Sequence, residues 1–293
     1  MRSSTLIGIV AAATSCSAIH AQQAARSQLP FSWTGQLSSG ATLTIKNING
    51  PIDVVAASGS RVSVRAAADN GRSDSGDYTV EVEDHGTDVS ICTVYRGASA
   101  CSDHNDWSNT RTAIRYTVEI PSTVELHVAT GNGAISVTRA GATVTAETGN
   151  GRVTIGATDG QVTASSGNGD ITVQSARGPV KATTGNGRVS VTTSEGPVTA
   201  RTGNGNIDVV MSAISGDENM TFSSGSGSIH VTVPPTFNGQ LDAQTGNGSL
   251  TSDFPITMSG RLDTHHLHGA IGTGKGPVIK IETGNGRIEF RKG

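Results

Sequence analysis

The sequence predicts an all-β chain wound into a parallel β-solenoid, on three observations. Thr-Gly-Asn-Gly or Ser-Gly-Asn-Gly begins at Thr130, Thr148, Ser166, Thr184 and Thr202, four equal steps of 18 residues. A fixed period of that length marks stacked repeats, each burying its apolar face against its neighbours. Between the tetrapeptides, short runs alternate apolar and polar side chains, the period of a strand with one buried face. Gly, Asn and Pro punctuate these runs, and no amphipathic helical pattern occurs in the chain past its leader. The expected coil is about 18 residues, right-handed by the general preference of parallel crossovers.

The N-terminus reads as an export signal at residues 1–21: Arg2, an apolar stretch over 5–13, and Ile19-His20-Ala21 as the cleavage site before Gln22. Cys16 opens the alternative of a lipid-modified cysteine, weakened by Ala13 three residues before it where such sites usually carry Leu. Residues 22–40 form a lead-in, and 41–293 is expected to be one solenoid domain. No segment of the mature chain approaches the ~20 apolar residues of a spanning helix.

From Ala41 onward the alternation begins, in Leu43-Thr44-Ile45, Ile52-Asp53-Val54, Val62-Ser63-Val64, Tyr78-Thr79-Val80-Glu81-Val82 and Tyr116-Thr117-Val118-Glu119-Ile120. Removing the signal leaves Cys92 and Cys101, an even pair in an exported chain, and a structural disulfide is expected between them. Residues 68–76 and an insertion at about 97–109 are polar and aperiodic, hence loops. Tyr95, Trp107 and Tyr116 lie in or beside the second loop, placed to pack over an end or side of the coil stack.

Laid over one another, the regular coils, which begin at about 130, resolve into columns. Ile135, Val153, Ile171, Val189 and Ile207 form one interior ladder, and Val137, Ile155, Val173, Val191 and Val209 the next. A second strand contributes Val144, Val162, Val180 and Val198, then Ala146, Ala164, Ala182 and Ala200. Small side chains on every ladder imply a thin interior. The intervening Ser136, Thr154, Thr172, Ser190 and Asp208 must face solvent. The position after each tetrapeptide reads Arg152, Asp170, Arg188, Asn206, an alternation that favours parallel stacking at ~4.8 Å, each exposed pair being worth under about 1 kcal/mol.

The tetrapeptide itself is a corner. Gly and Asn reach positive φ cheaply, and stacked Asn side chains can pass amide hydrogen bonds between coils. Asn132, Asn150, Asn168, Asn186 and Asn204 are expected to form such a ladder, joined by Asn247 and Asn285 after the register loosens. Gly160, Gly178-Pro179 and Gly196-Pro197 mark the second corner. About eight coils would make a rod of roughly 40 Å. The charged Glu289-Phe290-Arg291-Lys292 is expected to guard the C-terminal edge.

The chemistry-bearing candidates fit the same template. His265, His266 and His268 resemble a metal cluster, but 262–269 superposes on 241–248, so His266 replaces the turn Thr and His268 the ladder Asn; a metal would need a further ligand. Asp159, Asp170, Glu195 and Asp208 fall in different columns, unlike the clustered carboxylates of a polysaccharide-active enzyme. Gly225-Ser226-Gly227 lies in the corner column, without the strand-to-helix elbow of a serine nucleophile. The Asp of calcium-binding nonapeptide repeats is missing, and Lys181 and Asp208 interrupt the Thr columns an ice-binding face would need. A net charge of −3 gives no footprint for nucleic acid. No catalytic residue, cofactor or metal is expected.

One resemblance stands on these residues. Ile48-Asn49-Gly50-Pro51-Ile52-Asp53-Val54, the run Tyr116-Thr117-Val118-Glu119-Ile120-Pro121 leading to Leu126-His127-Val128, and the Thr-Gly-Asn-Gly units resemble the bacterial β-strand-repeat family labelled putative adhesin, a domain of unknown function. The likeness runs from about Ala41 to the end. It implies an envelope-associated or secreted β-solenoid with no assigned catalytic residues, a scaffold for a protein or glycan partner. The rivals are a polysaccharide-active β-helix enzyme and an envelope-stress or signalling accessory. Partner-specific surface is expected where the period fails, at 97–109 and in the coils after Asn204.

Overall fold

A computed structural model describes residues 25–69, 78–95, 101, 112–258 and 264–293. Among them every regular element is a strand, 25 in all, divided between a 13-stranded and a 12-stranded sheet. The export signal, Trp107 and all of the 97–109 insertion except Cys101 lie outside the described residues.

Each regular coil contributes one strand to each sheet. Val144–Asn150 runs in the larger sheet, turns at Gly151-Arg152, and continues as Val153–Thr158 in the smaller. The next coil repeats this as Val162–Asn168 and Ile171–Ala176. Pairing between coils is parallel and in register, Val144 on Val162, Val162 on Val180 and Val180 on Val198. The smaller sheet stacks Ile135, Val153, Ile171, Val189 and Ile207 in the same way. These columns and their Ala partners are essentially inaccessible to solvent. With two inward positions per strand on each wall, the core is a narrow slot that Val and Ala fill, each buried aliphatic side chain contributing about 1.5–3 kcal/mol.

The corners explain the tetrapeptide residue by residue. The Thr or Ser side chain points inward and donates its hydroxyl to the corner-glycine carbonyl of the preceding coil: Thr148 to Gly133, Ser166 to Gly151, Thr184 to Gly169, Thr202 to Gly187, all at 2.9–3.0 Å. That carbonyl would otherwise be left unpaired at the edge of the slot. The second glycine adopts positive φ at Gly169, Gly187 and Gly205, 152° at Gly187, where an added Cβ would lie 2.3 Å from the Gly169 carbonyl oxygen.

Both ends depart from chain order. The C-terminal coil does not lie at the edge. Val278–Asn285 sits between Met220–Ser226 and Gly239–Asn247, and Ile288–Lys292 between Ile229–Val233 and Leu250–Ser252. The expected edge guard is therefore an internal strand, and the edges are Leu250–Ser252 and the antiparallel His266–Ile271. The reason is apolar closure: Phe290 meets Phe237 and Phe254 at centroid distances of 5.7 and 5.3 Å, a plug that an outermost C-terminal coil would leave open.

The other end mirrors this arrangement. Thr42–Asn49 and Ile52–Ala56 lie directly against Glu125–Asn132 and Ile135–Ala140, while Val89–Tyr95 and Ile114–Ile120 are stacked outside them. Antiparallel strands Arg61–Ala68 and Tyr78–Asp84 follow, and Phe31–Gln36 and Ala25–Ser27 are outermost. Here Asn47 takes the column of the corner Thr, pairing with Thr130. Its amide donates to the Ile114 carbonyl at 2.7 Å, and Thr93 links its oxygen to the Tyr116 hydroxyl. Burial pushes the Tyr116 phenol far above its usual range, against the smaller opposing effect of its bond to Thr93.

Candidate interaction surface

The outer face of the 12-stranded sheet carries a continuous series of charged and polar side chains. In successive coils its first outward column reads Arg152, Asp170, Arg188, Asn206 and its second Thr154, Thr172, Ser190, Asp208, His230, Glu289. Parallel register alone places these side chains one coil apart, so each can reach the next.

Asp170 receives the Arg152 guanidinium at 3.6 Å and the backbone N–H of Arg188 at 2.9 Å. Arg188 continues to Asp208 at 3.7 Å. Asp208 meets Nδ1 of His230 at 2.8 Å, and Nε2 of the same ring lies 3.6 Å from Glu289. Glu289 ends the chain of charges between Arg287, at 3.2 Å, and Arg291. Desolvation pushes the Glu289 carboxyl up, but the hydrogen bonds and charges of Arg287 and Arg291 outweigh it and hold the group below the usual carboxylate value. The segment around Arg152, Thr172, Gln174, Arg188 and Asp208 encloses an open polar groove of about 750 Å³.

A smaller hollow of about 300 Å³ lies at the second corner, where loops carrying Asp217, Pro234 and Lys275 meet over Phe237. The Asn238 carboxamide oxygen holds it together, accepting from Thr273 N–H at 2.8 Å, the Thr273 hydroxyl at 3.0 Å and Gly274 N–H at 3.2 Å. This corner lies among the coils after Asn204.

The other singled-out residues fall elsewhere. The Asn side chains form a solvent-facing ladder along the first corner, Asn150 to Asn132, Asn168 to Asn150, Asn186 to Asn168 and Asn204 to Asn186, at 2.8–2.9 Å. Ser226 interrupts it, and it resumes between Asn247 and Asn285 because the C-terminal coil is inserted there. Cys92 and Cys101 are joined by a disulfide with Cα atoms 5.6 Å apart.

The histidine segment corrects the repeat alignment. His266–Ile271 runs antiparallel to Gly239–Asn247, with His266 opposite Gln244 and His268 opposite Asp242, so neither occupies the corner column. His266 Nε2 instead contacts Asp242 at 2.8 Å. His265 lies just before the strand, its ring beside the Thr264 hydroxyl. Among the described residues no three His, Cys, Asp or Glu side chains gather as a metal ion would require.

The series Asp208, His230, Glu289 escaped the sequence reading. The first two align once the 22-residue step after Thr202 is allowed for. Glu289 joins them only through the inserted coil.

Fold and surface together define a class: a two-sheeted parallel β-solenoid with its polar chemistry spread along its outer faces. The chain belongs to the family described as Toastrack DUF4097, which matches residues 40–291. No curated protein matches it. Among solved structures it is similar to a putative cell adhesion protein from Clostridium sporogenes, at 10% identity over 90% of this chain and 100% of the other, TM-score 0.28. A putative adhesin from Bacteroides fragilis is similar at 10% identity over 90% and 98%, TM-score 0.35. Among the described residues no helix is long and apolar enough to cross a membrane.

Proposed function

We propose that this chain is a non-enzymatic scaffold, exported from the cytoplasm and acting in the envelope or the secreted space, that presents its outer faces to a protein or glycan partner in an adhesin-like role. The observation that carries the reading is the unbroken series of polar and ion-pair contacts from Arg152 to Arg291, laid along the face of the 12-stranded sheet. Its carboxylates are each held by an Arg or His neighbour, an arrangement that suits recognition better than proton transfer. The export signal read in the sequence and the Cys92–Cys101 disulfide support a location outside the reducing cytoplasm.

The test is proximity labelling and pull-down with the exported chain on intact cells, alongside a glycan array and a glycan-degradation screen. Recovery of a partner that Asp170→Arg and Arg188→Asp weaken supports the scaffold. Turnover of a polysaccharide, or labelling confined to the cytoplasm, would overturn it.

A further inference from the structure

The charged face has a symmetry that its chemistry alone does not require. From the coil of Val153–Thr158 to that of Ile207–Met211 the charges alternate coil by coil, Arg152, Asp170 and Arg188 in the first outward column and Asp208 in the second. A series of even length and alternating sign is complementary to itself when read backwards. Consider a two-fold axis in the plane of the face, along the strands and between the coils of Ile171–Ala176 and Val189–Thr193. It sets a second copy face to face with the solenoid axis reversed and the columns superposed. Asp170 then faces Arg188 of the second copy and Arg188 faces its Asp170, while Arg152 faces its Asn206, with Asp208 two residues further along the same strand.

A second, independent feature obeys the same operation. Among the described residues only two large apolar side chains are exposed, Val55 at 38% and Val210 at 43%, and both stand on this sheet. Val210 belongs to an outward column with Thr192 and Thr232. In the coil that the two-fold brings opposite, that column holds Gly156, a gap between Thr138 and Gln174. The exposed valine of one copy is thus aimed at the missing side chain of the other, twice per pair. Thr172 meets Ser190 and Gln174 meets Thr192, both pairs able to share hydrogen bonds. One coil pair further out in each direction, Ser136 lies opposite His230; beyond it Asp53 lies opposite Glu289, each carboxylate already held by arginines of its own copy, Arg115 for Asp53 and Arg287 and Arg291 for Glu289.

We propose that the outer face of the 12-stranded sheet pairs with the same face of a second copy, antiparallel, through the two Asp170–Arg188 contacts and the Val210–Gly156 fit. This deepens the scaffold reading, on which it rests, by naming a partner. Six coils at ~4.8 Å and a strip five residues wide bury on the order of 1,000 Å² over two copies, the size of a weak and transient contact. Exposed pairs at 3.6–3.7 Å within one copy contribute little, so the Arg side chains, 62% and 66% exposed, lose little by turning toward the partner.

Sedimentation equilibrium of the exported chain, in about 50 mM and about 500 mM salt, measures the pairing. A concentration-dependent dimer that high salt dissociates is the expected result. Arg188→Asp and Asp170→Arg each set like charges against each other at two symmetry-related contacts, and each should weaken the dimer by about tenfold or more. Mixed in equal amounts, the two variants should pair with each other, because every contact between them is again opposite in sign. Val210→Lys, at an exposed site where folding is not at risk, should weaken it too. A monomer throughout at low salt, or a dimer that these variants and their mixture leave unchanged, overturns the pairing. Neither outcome touches the capture of a different protein or a glycan on intact cells, so the two readings fail separately.

Discussion

The 18-residue period rests on single residues whose roles are divided strictly. At Gly187 two demands coincide, a φ of 152° and a Gly169 carbonyl oxygen 2.3 Å from any added Cβ. Gly40 has the first without the second, since its φ is 81° and nothing lies within 4 Å of an added Cβ. Substitution by Ala should therefore separate them. Gly40→Ala pays only for backbone strain, about 1 kcal/mol, whereas Gly187→Ala must also push two coils apart and should cost about twice that or more. Urea denaturation of the two variants measures the difference, and equal losses would show that the carbonyl contact relaxes freely. Both glycines look alike in sequence, but only the repeat places Gly187 against another backbone.

At the scale of the coil, the columns were legible because three signals agree: the 18-residue step, the alternation of strands, and the recurrence of Val and Ala at matching offsets. Coil order was not. A period says which positions stack, but once the steps change to 22, 21 and 38 residues it no longer says which coil neighbours which. The same limit misplaced His266 and His268, because a template of parallel coils cannot represent a strand that turns back along Gly239–Asn247. Where the template holds, it yields a sharp expectation. Deleting residues 162–179 removes one whole coil and sets Val144 on Val180 and Asn150 on Asn186, with inside and outside preserved. It also brings Arg152 beside Arg188, a surface repulsion of under about 1 kcal/mol. That protein should fold, with a β circular-dichroism spectrum and a cooperative melt. Deleting 162–178 instead slips the register by one residue and turns Val and Ala outward, so it should aggregate; equal behaviour of the two deletions would contradict in-register stacking as the source of order.

For the whole molecule, the insertion of a terminal coil at each end changes what holds the stack together. Gly239–Asn247 pairs only with Val278–Asn285 and His266–Ile271, and Leu250–Ser252 only with Ile288–Lys292. The last residues of the chain thus connect the end coil to the rest, and Phe290 from the same coil completes the plug with Phe237 and Phe254. Ending the chain after Pro277 removes this wedge without touching any coil before it. The coils from Glu125 to Val233 keep their mutual pairing, whereas 239–271 loses its strand pairing to the rest of the stack, and Phe222 and Val231 lose the Ile281 and Phe290 side chains that pair over them. Limited proteolysis read by mass spectrometry should find new cleavage confined to 234–277, with 125–233 still protected. Continued protection of 239–271 would mean that its coil has slid one step onto 220–233, and that the C-terminal coil is an added layer instead of a wedge.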